Sequence, residues 1–271
     1  MNKKLRSFIA MALLVLMLIP NVVTVFAYDK TTAEQQPGAG AYEHVVIIGL
    51  DGAGAFFKDT DTPNIDRIFE NGAITYSAQT VNPSISAQSW GSLLHGVTPE
   101  FHRLTNSIAG SSAFDNDSEY PSVFRVAREN DPNAALGSFC HWKAINVGIV
   151  ENGFGVTKLN GSTDAGVAQS AADYVKESSP QLLFVQFDDV DVAGHNYGYG
   201  SQESLDAITR LDGYVGDIYQ AYVDKGIIDD TLFIVTADHG GTYVVGADGS
   251  VTGSHGGLTD EEMNKIGRAH V

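Results

Sequence analysis

The chain has 271 residues, enough for one large α/β domain or two small ones. Its 43% hydrophobic and 18% charged content is that of a globular protein and sets aside a disordered chain. Thirty-three acidic against sixteen basic residues give a net charge of −17, a surface that repels a nucleic acid duplex. An anionic substrate must therefore meet a local cation, and the shortage of Lys and Arg favours metal ions for that part.

Lys3, Lys4 and Arg6 precede an apolar run over residues 8–19, and Val25-Phe26-Ala27 places small residues ahead of Tyr28. That pattern predicts a signal peptide over residues 1–27 and a secreted or extracytoplasmic protein, in one variant associated with the cell surface. The alternative is an uncleaved membrane anchor, since residues 8–27 almost match a hydrocarbon core of about 30 Å. Asn21, Thr24 and the Ala27 junction favour cleavage. Residues 28–43 are polar and read as a flexible lead-in to a domain over residues 44–265. Cys140 is the sole cysteine, which excludes an internal disulfide and fits a small buried apolar residue.

Val45-Val46-Ile47-Ile48-Gly49-Leu50 is a continuous β-branched apolar run, expected of a strand buried on both faces. Leu182-Leu183-Phe184-Val185-Gln186-Phe187 and Thr231-Leu232-Phe233-Ile234-Val235-Thr236 repeat it. Between them, Thr62-Pro63 is expected to cap and start a helix carrying Ile65, Ile68 and Phe69. Ser201 is expected to cap another, with Leu205, Ile208, Leu211, Val215, Ile218 and Tyr222 at helical spacing. The alternation predicts an α/β fold, a mostly parallel central sheet with helices on both faces.

In such sheets, functional residues gather at the carboxyl ends of the strands. The first run ends in Asp51-Gly52, the second leads through Asp188 and Asp189 to Asp191 and His195, and the third ends in Asp238-His239-Gly240-Gly241. Taken singly these are weak: Asp-Gly is most often a turn, and Asp191 and His195 could be an exposed pair on one helical turn. Asp51, Asp191, His195, Asp238, His239 and His255 together supply six oxygen and nitrogen ligands and no thiolate, a set suited to zinc, manganese or iron. Six protein ligands exceed one tetrahedral ion and suit two divalent metal ions. Glycines beside Asp51, His239 and His255 would let the backbone crowd the cluster. A nucleophile is then sought among the serines of Pro83-Ser84-Ile85-Ser86-Ala87-Gln88-Ser89, where a hydroxyl opening a helix meets the anion-favouring end. Ser84 and Ser89 are read as N-caps.

With these residues in place, the chain resembles the alkaline phosphatase superfamily and, within it, the type I phosphodiesterase/nucleotide pyrophosphatase branch, over residues 45–263. That branch has Pro-Thr-x-Thr with the second Thr as nucleophile, then Gly ten and Pro thirteen residues later. Pro83-Ser84-Ile85-Ser86, Gly96, Pro99 and His102 fall on that frame. The resemblance implies Ser86 as the nucleophile and two zinc sites. One is formed by Asp191, His195 and His255, the other by Asp51, Ser86, Asp238 and His239. Asn106, one residue short of the family spacing, is implied to hold phosphoryl oxygens. It further implies a metal-dependent hydrolase acting on small-molecule phosphate esters, with diester or pyrophosphate favoured over monoester. Monoesterase, phosphonate hydrolase and non-catalytic surface protein are the alternatives. The usual Phe-Pro-Asn after the nucleophile is replaced by Ala87-Gln88-Ser89. Thr62-Pro63-Asn64-Ile65-Asp66-Arg67 is similar to sulfatases, whose C/S-x-P-x-R nucleophile motif does not occur here.

His44, His95 and His141 are expected to be packing or surface residues, His102 to brace the turn after the nucleophile helix, and residues 115–119 to form a solvated loop. The family's domain normally continues beyond the position of His255, and residues 266–271 equal the translation of a common sequencing-adapter read. The expectation is therefore a C-terminally truncated domain with a non-native tail, leaving a sheet edge unpaired. Resequencing of the locus into an apolar strand beyond Lys265 is the outcome this expectation requires.

Overall fold

The structure is a computed structural model and describes residues 42–269, so the signal peptide expected over residues 1–27 and most of the lead-in lie outside the described residues. The first half of the chain forms β1 (His44–Leu50), α1 (Pro63–Ile68), β2 (Ala73–Gln79), α2 (Ser86–His95), α3 (Pro99–His102), α4 (Asn106–Ser111), α5 (Val123–Asn130), β3 (Leu136–Cys140) and β4 (Val156–Asn160). The second forms α6 (Asp164–Ser178), β5 (Leu182–Phe187), α7 (Asp189–Tyr197), α8 (Gln202–Lys225), β6 (Thr231–Thr236), β7 (Thr242–Val245), β8 (Val251–Ser254), α9 (Asp260–Met263) and β9 (Asn264–Ala269). A seven-stranded sheet has the order β2-β9-β6-β1-β5-β3-β4, and β7 and β8 form a separate hairpin. β6, β1, β5, β3 and β4 are mutually parallel, whereas β9 runs antiparallel to both its neighbours.

The three continuous apolar runs are β1, β5 and β6, at the centre of the sheet. Each is apolar on alternate residues of both faces because helices cover both sides. Val46, Ile48 and Leu50 of β1 join Val185, Phe187, Phe233 and the apolar side of α6 and α8 in one core. Val45 and Ile47 turn to the other core, which holds Trp90 and Leu94 of α2 with Phe124, Leu136, Ile145 and Phe184. Gly49 interrupts the run for a packing reason: a Cβ there would collide with the ring of Trp90.

The register brings the strand ends level. Leu50 lies opposite Phe187 and Gly49 opposite Thr236, so Asp51, Asp188 and Asp238 emerge side by side just past their strands. α8 begins as its sequence predicts, with Ser201 Oγ accepting from the Ser204 amide. α1 does not, since the Thr62 side chain makes no cap. Its orphan amides, on Asn64 and Ile65, are accepted instead at 3.0 and 2.8 Å by the carboxylate of Asp212 on α8. A cap supplied from 147 or more residues away has no local signature.

The expectation of an unpaired edge is overturned for β6. Residues 264–269 form β9, which lies between β6 and β2 and satisfies the backbone groups of β6 there. Ile266 is fully buried in the core under α8. Arg268 pairs with Asp66 at 2.6 Å and donates to the Tyr76 hydroxyl at 2.8 Å. The strand is held by its neighbours' ladder and one apolar side chain, which is why a polar, glycine-containing segment takes this place. Ending the chain at Lys265 is expected to lower stability by about 3 kcal/mol or more through loss of the Ile266 side chain alone. Thermal unfolding of the two chain lengths checks this, and equal midpoints would contradict it.

Candidate active site

Every carboxylate and imidazole that the sequence places at a strand end lies at the carboxyl edge of β1, β5 and β6. Asp51 follows β1, Asp191 and His195 lie one turn apart on α7, Asp238 and His239 follow β6, and His255 follows β8. Asp51, Asp238 and His239 bring ligand atoms within 4.8 Å of one another, as do Asp191, His239 and His255. His195 joins the second group, its Nε2 lying 3.3 Å from Asp191 Oδ2 and 3.2 Å from His255 Nε2. The two groups abut, and the rings of His239 and His255 stack at 4.0 Å between centroids.

The hydrogen bonds behind these groups select which atoms face inward. His239 Nδ1 donates to the Gly240 carbonyl at 2.9 Å, His255 Nδ1 to the Ser84 carbonyl at 2.8 Å and His195 Nδ1 to the Gly253 carbonyl at 3.4 Å. A carbonyl can only accept, so His239 and His255 keep an Nε2 lone pair for the centre, whereas His195 Nε2 hydrogen-bonds Asp191 Oδ2. The carboxylates agree. Asp238 Oδ1 accepts from the Gly52 amide, whereas Asp238 Oδ2 and Asp51 Oδ1 are buried and without a hydrogen-bond partner among the described residues. A buried, orphaned carboxylate oxygen is costly unless something positive occupies the position. The donor set and its orphaned atoms thus fit divalent metal ions.

The electrostatics carry the same mark. Burial first, then Asp238, Asp191 and Asp188, push the Asp51 carboxyl well above its ordinary range. Burial and the neighbouring Asp191 raise Asp238 to about 7 and Asp188 to about 6. Burial alone would raise Asp191 too, but hydrogen bonds from His195 and Tyr199, with the nearby His239, hold it at about 2. Burial lowers His239 and His255, while the hydrogen bond to Asp191 raises His195.

Ser86 opens α2, and its Oγ lies 3.3 Å from His239 Nε2, whose lone pair accepts the hydroxyl. The neighbouring serines correct the sequence reading, since neither caps the helix. Ser84 Oγ donates to the Gly257 carbonyl at 2.9 Å and accepts from the Gly256 amide at 3.0 Å, clipping the His255 loop to the Ser86 loop. Ser89 lies inside α2 and accepts from Thr80 Oγ1. The helix amide that needs a cap, on Ala87, is served by Asn106 Oδ1 at 2.9 Å. His102 braces this turn, accepting from the Leu104 amide on Nδ1 and meeting Ser92 Oγ on Nε2, with burial lowering it to about 4. Burial raises the Cys140 thiol to about 12, in keeping with an inert packing role.

A third group, His141, Asp164 and Asp189, was not singled out by the sequence, which reads His141 as packing or surface. Asp164 is fully engaged: it accepts from His141 Nδ1 and from the amides of Asp188 and Asp189. It therefore caps α7, the helix that bears Asp191 and His195, rather than offering a vacant oxygen. Nothing local distinguishes it from any acid in a first helical turn.

Comparisons with known proteins bear on the family and the fold. Residues 45–253 match the family model described as type I phosphodiesterase / nucleotide pyrophosphatase. Mouse ectonucleotide pyrophosphatase/phosphodiesterase family member 7 is 22% identical over 228 residues, covering 74% of this chain and 50% of its own. Human bis(5'-adenosyl)-triphosphatase ENPP4 is 20% identical over 256 residues, covering 86% and 53%. The solved murine ectonucleotide pyrophosphatase / phosphodiesterase 5 superposes with a TM-score of 0.65 at 15% identity, over 84% of this chain and 88% of that one, a likeness of fold. The chain spans about half the length of the curated relatives it matches.

The charge crowding sets a pH dependence. Asp238, at 3.8 in the ordinary state and about 7 when folded, keeps its proton in the folded protein between those values. Its contribution to stability is complete below about pH 4 and lost as pH rises through about 7. His239 and His255, with lowered values, oppose this trend up to about pH 6.5 and not above it. Because bound metal requires the ionised carboxylate, the rise in melting temperature on adding Zn2+ is expected to be larger at pH 8 than at pH 5.5. Differential scanning calorimetry with zinc or chelator at both pH values measures it; an equal or smaller shift at pH 8 contradicts it.

Proposed function

Because this chain belongs to the type I phosphodiesterase / nucleotide pyrophosphatase family, we propose that it is an exported hydrolase. It cleaves phosphodiester or pyrophosphate bonds of small nucleotide-type substrates through a phosphoseryl intermediate on Ser86. The observation supporting this most directly is the position of Ser86 Oγ, 3.3 Å from His239 Nε2, the same nitrogen that lies 3.6 Å from Asp51 Oδ1 and 3.2 Å from Asp238 Oδ2. Two divalent ions, zinc foremost, would be held by Asp51, Ser86, Asp238 and His239 on one side and by Asp191, His195 and His255 on the other. When bound, they supply Lewis acidity, lowering the pKa of a bound hydroxyl or water from about 16 towards about 7 and neutralising charge on the departing oxygen.

The chain's own groups then do the following. Ser86 Oγ, presented by the first residue of α2, attacks phosphorus as its proton passes to water; a bond from Oγ to phosphorus forms and the bond to the leaving oxygen breaks. Water then attacks the phosphoseryl phosphorus, the bond to Ser86 Oγ breaks with the hydroxyl proton restored, and the product departs as a phosphate monoester. The amino end of α2 favours the anionic group throughout. Asn106, its Oδ1 fixed on the Ala87 amide, keeps its two N–H donors for a phosphoryl oxygen. The set of Asp191, His195 and His255, of which His195 is the most exposed, would stabilise the departing oxygen.

Export rests on the basic, apolar and small-residue pattern of residues 1–27. Among the described residues no helix is long and apolar enough to cross a membrane.

Hydrolysis of bis(p-nitrophenyl) phosphate, a nucleotide pyrophosphate, p-nitrophenyl phosphate and a phenylphosphonate tests the substrate class. The first two are expected to be turned over best; preference for the monoester or phosphonate would redirect the reading. Ser86→Ala is expected to cut turnover by about 10³-fold or more with the melting temperature retained, and Ser89→Ala far less. Elemental analysis should find two bound ions and a chelator should abolish activity; metal-free, chelator-indifferent turnover would refute the mechanism.

A further inference from the structure

Gln186 is an anomaly of β5. It is a fully buried amide next to the carboxyl end of an apolar strand at the centre of the sheet, where every other member of Leu182–Phe187 is hydrophobic. Burying an amide costs about 1–3 kcal/mol unless its groups are paired, so its partners indicate what it is for. Its Oε1 accepts from the Trp142 amide at 2.8 Å, which leaves the NH2 facing the strand end. There Nε2 donates to Asp51 Oδ2 at 2.9 Å and to Asp188 Oδ1 at 3.1 Å. Asp51 Oδ2 receives a second donor, Trp90 Nε1, at 2.8 Å. One oxygen of Asp51 is thus saturated by two neutral N–H groups, while Oδ1, buried and unpartnered, faces His239 Nε2 at 3.6 Å.

We propose that Gln186 is a positioning residue for metal binding, which with Trp90 locks the Asp51 carboxylate so that only Oδ1 is offered to a divalent cation. The inference rests on the two-metal reading above. Neutral donors suit the task better than a cation would: they orient the carboxylate without cancelling the charge that a metal needs. The contact with Asp188 adds a second effect, since the same NH2 lies between two carboxylates and screens their mutual repulsion. Trp142 N–H fixes the amide's orientation, because the flipped amide would set its oxygen against two carboxylates and its NH2 against a donor. The device joins the loop after β3 to the strand end of β1 through one side chain of β5.

The test uses the full chain and zinc. Gln186→Met keeps the volume and removes the donors; Trp90→Phe removes the other donor from the same oxygen. Zinc affinity is measured by chelator competition, the first coordination shell by the visible spectrum of the Co2+-loaded protein, and folding by the melting temperature of the metal-free protein. The expected result is one ion bound as in the parent protein and the other weakened about 10–100-fold in each variant, with an altered cobalt spectrum. Turnover at limiting zinc should fall and recover at excess zinc. A merely structural glutamine would lower the metal-free melting temperature and leave affinity and spectrum unchanged; that result overturns the inference while leaving the two-metal reading intact. A parent protein that binds no zinc or cobalt overturns both. Should Gln186→Met not fold, Trp90→Phe decides the matter by the same readouts.

Discussion

Four carboxylates, those of Asp51, Asp188, Asp191 and Asp238, meet at one buried edge of the sheet, and their mutual repulsion governs everything built around them. Like charges withdrawn from water must either take up protons or gather cations. The carboxyls lean to the first response: burial and then Asp238, Asp191 and Asp188 drive Asp51 up, and burial with Asp191 drives up Asp238 and Asp188. Only Asp191, which collects hydrogen bonds from His195 and Tyr199, stays low. A chain this acidic has few Lys or Arg to spend here, so a metal is the economical counter-charge.

The scaffold is arranged to keep that crowding fixed. Parallel register levels the ends of β1, β5 and β6. Gly52 adopts φ +69 directly beneath Asp191, where a Cβ would strike the Asp191 side chain and backbone. α7 starts where Asp164 accepts two of its amides, which sets the direction of Asp191 and His195 one turn later. The His255 loop is tied to the Ser86 loop by the Ser84 hydroxyl and carbonyl. None of these tethers brings a cation, so the negative charge of the centre is left for its ligand.

This arrangement also links the hydroxyl of Ser86 to the sheet. α2 packs through Trp90 onto the Gly49 backbone, and the same indole donates to Asp51. The helix that carries the Ser86 hydroxyl and the strand that leads to Asp51 are therefore held by one side chain. The β7–β8 hairpin, lying between His239 and His255 in the chain, exposes Tyr243, Val244 and Val245 beside this edge.

The sequence by itself determined the central strands, the α/β class and the ligand types. Burial on both faces leaves an unbroken apolar run, and strand ends that bind metal must carry Asp and His. The other strands were not legible. β2 is mostly exposed, β3 holds Gly137 and Ser138, and β9 reads Asn264-Lys265-Ile266-Gly267-Arg268-Ala269; each is a strand because a neighbour's ladder pairs with it, not because of its own pattern. The same division runs through the site. Asp51, Asp238 and His239 announce themselves by type and place, whereas Gln186 passes for one polar member of a strand and Asp164 for an ordinary first-turn acid. Asp212 likewise caps a helix far away in sequence, and Ser84, which sits where an N-cap belongs, binds a loop instead. Residue type and period are local properties and survive in the sequence. Which donor reaches which oxygen depends on chain segments separated by a hundred residues or more, and only the packed sheet brings them within 3 Å.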